Sequence, residues 1–151
     1  MRVTAGTLKN RKIKSREGRE TRPTLERIKE AIFSIIGDKV VDAKFLDLYS
    51  GTGNIAIEAL SRGAKRAVMI EQDKEALRII IDNIDTLGLT NVSRAYKNDV
   101  SRAIEILGRK NEKFDIIFLD PPYDKGLIDE ALQCILENNL CNDEALVICE
   151  K

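Results

Sequence analysis

A chain of 151 residues, 43% hydrophobic and 33% charged, has the size and composition of one soluble globular domain, and no apolar run approaches the ~20 residues of a membrane span. Histidine is absent, which excludes Ser-His and Cys-His nucleophilic triads, histidine general bases and histidine-ligated metals, so no metal site is expected. Net charge is zero, but residues 1–22 hold eight Lys/Arg against Glu17 and Glu20, a net of +6 that leaves −6 on the rest of the chain.

The start, Met1-Arg2-Val3-Thr4, carries no signal-peptide apolar region, so a cytoplasmic location is expected. Residues Arg2 to Lys14 alternate enough, at Val3, Leu8 and Ile13, to predict a short strand or hairpin. This basic arm on an acidic body has two readings. It is a nucleic-acid ligand, since Lys/Arg contacts to phosphate release counterions, or it is a solvated tail. Thr21-Arg22-Pro23-Thr24 anchors it by leading into a helix over Leu25–Ile36. The helix has apolar residues at Ile28, Ala31, Ile32, Ile35 and Ile36, Thr24 as N-cap, and Gly37 past its end.

From there strands and helices alternate. Strands are predicted at Lys44–Tyr49, Arg66–Ile70, Val92–Tyr96, Phe114–Leu119 and Ala145–Cys149. Between them fall helices at Asn54–Arg62, closed by Gly63, Lys74–Leu87, closed by Gly88, Val100–Leu107, closed by Gly108, and Leu127–Asn138. This order implies a doubly wound, mainly parallel α/β sheet with helices on both faces. Such sheets bind ligands outside the carboxyl ends of the strands, where the strand order reverses. Cys134, Cys141 and Cys149 are odd in number and lack C-x-x-C spacing. They read as reduced thiols, two in or near a helix and one in the final strand.

The unusual polar residues fall at strand ends. After the first strand, Gly51, Gly53 and Ala56 fit the G-x-G-x-x-G/A fingerprint, which permits a tight turn and close backbone approach to a ligand; the alternative is a glycine-rich turn with no ligand. The second strand ends in Glu71, an acid able to accept both hydroxyls of a ribose or simply a solvated terminus. After the third, Asn98-Asp99 precedes a helix that Asp99 can cap, or Asp99 meets the amino group of an adenine.

After the fourth strand comes Asp120-Pro121-Pro122-Tyr123. Each proline fixes φ near −65° and lacks an N–H, so the carbonyls of Asp120 and Pro121 stay free to face a ligand. An acid, stiff carbonyls and a flat ring suit a nucleobase amino group, although Asp-Pro is also a common turn dipeptide. Together these features describe an adenosine site with no demand for a pyrophosphate.

Leu46-Asp47-Leu48-Tyr49-Ser50-Gly51-Thr52-Gly53, Glu58-Ala59-Leu60-Ser61-Arg62-Gly63-Ala64 and Phe118-Leu119-Asp120-Pro121-Pro122-Tyr123 resemble the RsmD-type S-adenosylmethionine-dependent methyltransferases. Arg2-Val3-Thr4-Ala5-Gly6 and Thr21-Arg22-Pro23-Thr24 with Glu30-Ala31-Ile32-Phe33 are similar to that family's amino-terminal signature. The resemblance covers essentially the whole chain. It implies a Rossmann-like class I methyltransferase fold at 23–151 behind a basic arm at 1–22. The implied activity is methyl transfer to the exocyclic N2 amino group of a guanine in 16S ribosomal RNA.

By this resemblance Asp47, Gly51, Gly53, Glu71 and Asp99, with the neighbouring Tyr49, Ser50, Gln72 and Asn98, hold S-adenosylmethionine, Glu71 at the ribose and Asp99 at the adenine. Asp120 and the Pro121 carbonyl take the two amino hydrogens, in a catalytic turn completed by Pro122 and Tyr123, which stacks on the base. Arg2, Lys9, Arg11, Lys12 and Arg22 grip phosphates of ribosomal RNA or the small ribosomal subunit, and the protein is expected to be a monomer. Asn10 stands where the family usually has a glycine, which is expected to alter the arm's turn. The family's sheet continues with a hairpin beyond the fifth strand, whereas this sequence ends at Lys151, so the expected sheet ends after that strand. Three alternatives remain: a DNA adenine amino-methyltransferase, a NAD-dependent oxidoreductase, and a non-catalytic RNA-binding remnant.

Overall fold

The computed structural model describes residues 1–16, 23–121 and 126–150, with the side chains of Pro23 and Thr24 left aside. A leading helix α1 (Pro23–Ile36) is followed by β1 (Lys44–Leu48), α2 (Asn54–Ser61), β2 (Arg66–Glu71), α3 (Lys74–Thr86), β3 (Ser93–Lys97), α4 (Val100–Arg109), β4 (Phe114–Leu119), α5 (Leu127–Glu137) and β5 (Cys141–Cys149). The five strands form one parallel sheet in the order β3-β2-β1-β4-β5. The chain reverses direction across the sheet between β1 and β4, where Asp47 lies in register with Phe118 and Leu48 with Leu119.

A parallel sheet is covered on both faces, and strict alternation along its strands decides which side chain meets which layer. Phe45, Ala67, Met69, Ile116 and Phe118 pack with α1, α2 and α3. Leu46, Leu48, Val68, Ile70, Ile117 and Leu119 pack with α4 and α5 through Ile104, Leu107, Ala131 and Ile135. No helix among the described residues is long and apolar enough to cross a membrane.

Several boundaries differ from the sequence reading. Thr24 lies inside α1, which begins at Pro23, in keeping with proline's fixed φ and missing N–H at a first helical position. The buried face of α1 is Lys29, Ile32, Phe33 and Ile36, while Ala31 is exposed and Ile35 is 72% exposed. Counting only apolar residues turned the expected stripe, because a charged residue occupies the middle of the buried face. Gly108 is inside α4, not past its end; a Cβ there would sit 2.9 Å from the Asn138 carbonyl oxygen, so the position serves packing between α4 and the end of α5. The third strand starts at Ser93 because Val92 belongs to a 3-10 turn, and β5 starts at Cys141, which puts two cysteines in that strand.

Residues 1–16 form a hairpin joined by an antiparallel bridge between Arg2 and Lys12, with Val3 N–H bonded to Arg11 O at 2.9 Å and Ile13 N–H to Met1 O at 2.7 Å. Val3 and Ile13, each 1% exposed, enter the core beside α1 to α3, and burying such a side chain contributes about 1.5–3 kcal/mol. Asn10 adopts φ 72°, the left-handed conformation that asparagine tolerates better than most residues, so the turn has a glycine-like backbone at this position. Gly6, at φ +86°, presses against α2: a Cβ there would lie 1.9 Å from the Ser61 carbonyl oxygen.

Candidate active site at the sheet switch point

A cleft of about 410 Å³ opens at the carboxyl ends of β1 and β4, the position where doubly wound sheets bind ligands. Its walls include Asp47, Tyr49, Ser50 and Gly51 from the β1 end and Asp120 from the β4 end. Arg16, Lys29, Asn54 and Glu150, none of them picked out from the sequence, also line it.

Asp47 is the penultimate residue of β1 and only 1% exposed. Its Oδ2 accepts from the Ser50 hydroxyl at 2.9 Å, whereas Oδ1 is buried with no hydrogen-bond partner among the described residues. Burial pushes this carboxyl up to about 7 against the opposing Ser50 hydroxyl and Ala56 N–H, and the Asp120 and Glu71 carboxylates add to the rise. A buried acceptor without a donor costs free energy, so this oxygen has the capacity to take a further hydrogen bond. Next to it, Tyr49 takes φ 63°, a strained conformation for a bulky side chain and of a kind that clusters at binding sites.

The glycine-rich loop is held from outside the cleft. Gly51 N–H donates to Glu71 Oε1 at 2.7 Å, and the other oxygen of Glu71 accepts from Asp73 N–H at 2.8 Å. Glu71 therefore ties the end of β2 to the loop after β1. Gly51 and Gly53 have φ of 63° and 85°, so both need the left-handed backbone that glycine adopts without a Cβ penalty. Asn98 accepts from Asp99 N–H at 2.8 Å, and Asp99 caps α4 through Arg102 N–H at 3.2 Å. Gln72 is exposed at the end of β2. Glu71, Gln72, Asn98, Asp99 and Gly53 are not among the residues that line the cleft; Asp99 borders a separate hollow along α4.

Asp120 follows β4 directly and is exposed, its pKa raised to about 6 by partial desolvation and then by the Glu150 carboxylate. Glu150 follows β5, where its N–H bonds Leu119 O at 2.8 Å. Pro121 is buried. Pro122, Tyr123 and Arg22 lie outside the described residues. Of the arm cations, Arg2, Lys9, Arg11 and Lys12 are exposed; Arg2 also bonds Asn10 O at 2.8 Å and Arg11 bonds Thr86 O at 3.2 Å.

A second polar group, which the sequence reading missed, runs from Lys29 and Asn54 in the cleft wall into the interior. Lys29 Nζ donates to Arg2 O at 2.8 Å and Asn54 Oδ1 at 2.9 Å and pairs with Glu58 Oε1 at 3.1 Å. Glu58, fully buried, also accepts from Thr4 N–H at 2.9 Å, Ala5 N–H at 3.1 Å and Arg62 Nε at 2.8 Å. Burial alone would raise the Glu58 carboxyl, but the Thr4 N–H, Arg62 and Lys29 outweigh it and hold the group below the ordinary carboxylate range. One available signal was an acid and a serine inside a helix otherwise apolar all round, Ile55-Ala56-Ile57-Glu58-Ala59-Leu60-Ser61.

The parallel sheet in this order is the fold of solved methyltransferase structures, and the glycine-rich turn after β1 and Asp120-Pro121 after β4 stand at its ligand-binding edge. The chain belongs to the family described as Conserved hypothetical protein 95, whose model matches residues 1–151. It is 36% identical to "Putative rRNA methyltransferase YlbH" of Bacillus subtilis over 99% of this chain and 82% of that protein. It is 33% identical to Ribosomal RNA small subunit methyltransferase D of Escherichia coli K12, over 99% of this chain and 74% of the relative. The solved structure of yhhF from Escherichia coli superimposes with a TM-score of 0.87 at 33% identity, covering all of this chain and 81% of that one.

Proposed function

We propose that this protein transfers a methyl group from S-adenosylmethionine to the exocyclic N2 amino group of a guanine in 16S ribosomal RNA. The observation that carries the reading is the pairing, in one cleft, of a buried acceptor at Asp47, unpartnered among the described residues, with a second acceptor at Asp120. The relatives named as ribosomal RNA methyltransferases support the RNA substrate.

Asp47 Oδ1 suits the ammonium that S-adenosylmethionine carries, Tyr49, Ser50 and Gly51 shape the wall against it, and Gly53 serves the site by setting the loop's backbone. Glu71 with Gln72 serves the ribose and Asn98 with Asp99 the adenine; Asp99 keeps this role alongside its cap, since that bond uses one carboxylate oxygen. When bound, the cofactor supplies an electrophilic methyl. A guanine amino group is a poor nucleophile because its lone pair is delocalised into the ring. Asp120 and the Pro121 carbonyl accept its two hydrogens and aim the lone pair, so positioning supplies most of the acceleration. Pro122 stiffens the turn and Tyr123 stacks on a base that has left its helix.

Residues 1–22 act as the RNA-facing arm, with Arg2, Lys9, Arg11, Lys12 and Arg22 on phosphates, and 23–151 as the methyltransferase domain of a cytoplasmic monomer. Labelled S-adenosylmethionine supplied with unmodified small subunits, naked ribosomal RNA and DNA tests the substrate. Label is expected in the ribosomal substrates and absent from DNA. Label in DNA alone would reverse the reading, and cofactor binding with no transfer to any substrate would favour a non-catalytic RNA-binding role.

A further inference from the structure

The hairpin at the amino terminus and the glycine-rich loop are both held by the same two buried side chains. Asn83, on α3 and 3% exposed, accepts from Lys14 N–H at 2.9 Å and donates to Lys14 O at 3.0 Å and to Thr52 O at 3.1 Å. Both amide hydrogens and the amide oxygen are thus engaged, one hydrogen on the loop and the remaining contacts on the second strand of the hairpin. Lys29 repeats the arrangement at the other end of the loop: its ammonium spans Arg2 O, on the first strand of the hairpin, and Asn54 Oδ1, at the first residue of α2. Thr52 and Asn54 flank Gly53, whose left-handed backbone sets the loop's shape. The hairpin therefore closes on the loop from two sides.

We infer that Asn83 and Lys29 are positioning residues that couple docking of the amino-terminal hairpin to the geometry of the cofactor loop. The inference rests on the reading of the cleft as a cofactor site. A binding event that favours the docked hairpin then strengthens cofactor binding, and by linkage the cofactor strengthens docking of the hairpin by the same factor. In the proposed reaction this makes an RNA-engaged arm and a loaded cofactor site mutually reinforcing, with no contact between the two ligands required. The coupling runs through backbone atoms of Arg2, Lys14 and Thr52, so it is independent of the arm's charge.

The test uses the full chain with S-adenosylhomocysteine as the probe. Calorimetric titration of Asn83→Ala is expected to give about tenfold weaker binding than wild type. Two controls are expected to keep wild-type affinity: Lys14→Ala, which preserves the backbone contacts, and Ile104→Val, a mild core change under the opposite face of the sheet. Amide exchange supplies a readout that a purely structural role would not move. In wild type the probe slows exchange at the hairpin amides of Val3, Asn10 and Ile13, and in Asn83→Ala it does not. Unchanged affinity in Asn83→Ala, equal weakening in Ile104→Val, or hairpin exchange insensitive to the probe in wild type would overturn the coupling alone. Failure of wild type to bind the probe would overturn the cofactor reading, and this inference with it.

Discussion

Two clusters of buried polar groups sit on either side of the glycine-rich loop, and they differ in how completely they are satisfied. Behind the loop, Glu58, Lys29, Ser61 and Asn83 all have hydrogen-bond or ion-pair partners. Facing the cleft, Asp47 keeps one buried oxygen with none among the described residues, beside a tyrosine in a strained backbone conformation. A closed network of this kind fixes the architecture, whereas an open one reserves bonding capacity for something that arrives later. The two carboxyls titrate accordingly in opposite directions, Glu58 downward and Asp47 upward.

The largest expected effect lies on the open side. Asp120→Ala should lower kcat for methyl transfer by about 10²–10³-fold, the scale for removal of one oriented polar group, while S-adenosylhomocysteine still binds. In wild type, activity should rise as pH climbs through about 6, because only the ionised Asp120 accepts an amino hydrogen fully. Equal transfer by the Ala variant would remove the assigned mechanism.

The closed side should respond in stability. Glu58→Gln keeps the shape but leaves the buried Lys29 ammonium without its counter-charge, and urea unfolding should show a loss of about 3–5 kcal/mol. Because the Glu58 carboxyl is depressed, its contribution is present above the ordinary carboxylate range and is lost as pH falls below it. A variant as stable as wild type would mean that the hairpin is not held by this network.

Asp47 should give a smaller effect of opposite sign. Between the ordinary value of 3.8 and about 7, the unfolded chain releases a proton that the folded chain retains, so this group erodes stability as pH rises. Asp47→Asn should therefore be more stable than wild type at pH 8, on the order of a few kcal/mol or less, and bind the cofactor more weakly. If the variant were less stable at that pH, the open oxygen would be structural and the contrast between the two clusters would fail.

Much of this was legible in the sequence, for identifiable reasons. Parallel strands buried on both faces read as continuous apolar runs, so Phe114–Leu119 was found to the residue and the polar residues at strand ends stood out against them. The glycines could be placed because a tight turn with left-handed backbone restricts the choice of residue. What escaped was long-range or non-glycine: Glu58 and Ser61 accept from backbone N–H groups of residues 4–8, more than 50 positions away, and nothing local marks Tyr49 as adopting a positive φ. Lys29 was missed for the opposite reason, since a lysine beside an apolar stripe ordinarily reads as its solvated border.

The central claim is tested most directly by the chemical identity of the product. Small ribosomal subunits lacking the modification should be incubated with the protein and labelled S-adenosylmethionine, the 16S RNA digested to nucleosides, and the label separated. The account predicts that it travels with N2-methylguanosine; label on adenosine, on cytidine or on a ring nitrogen of guanosine would contradict it.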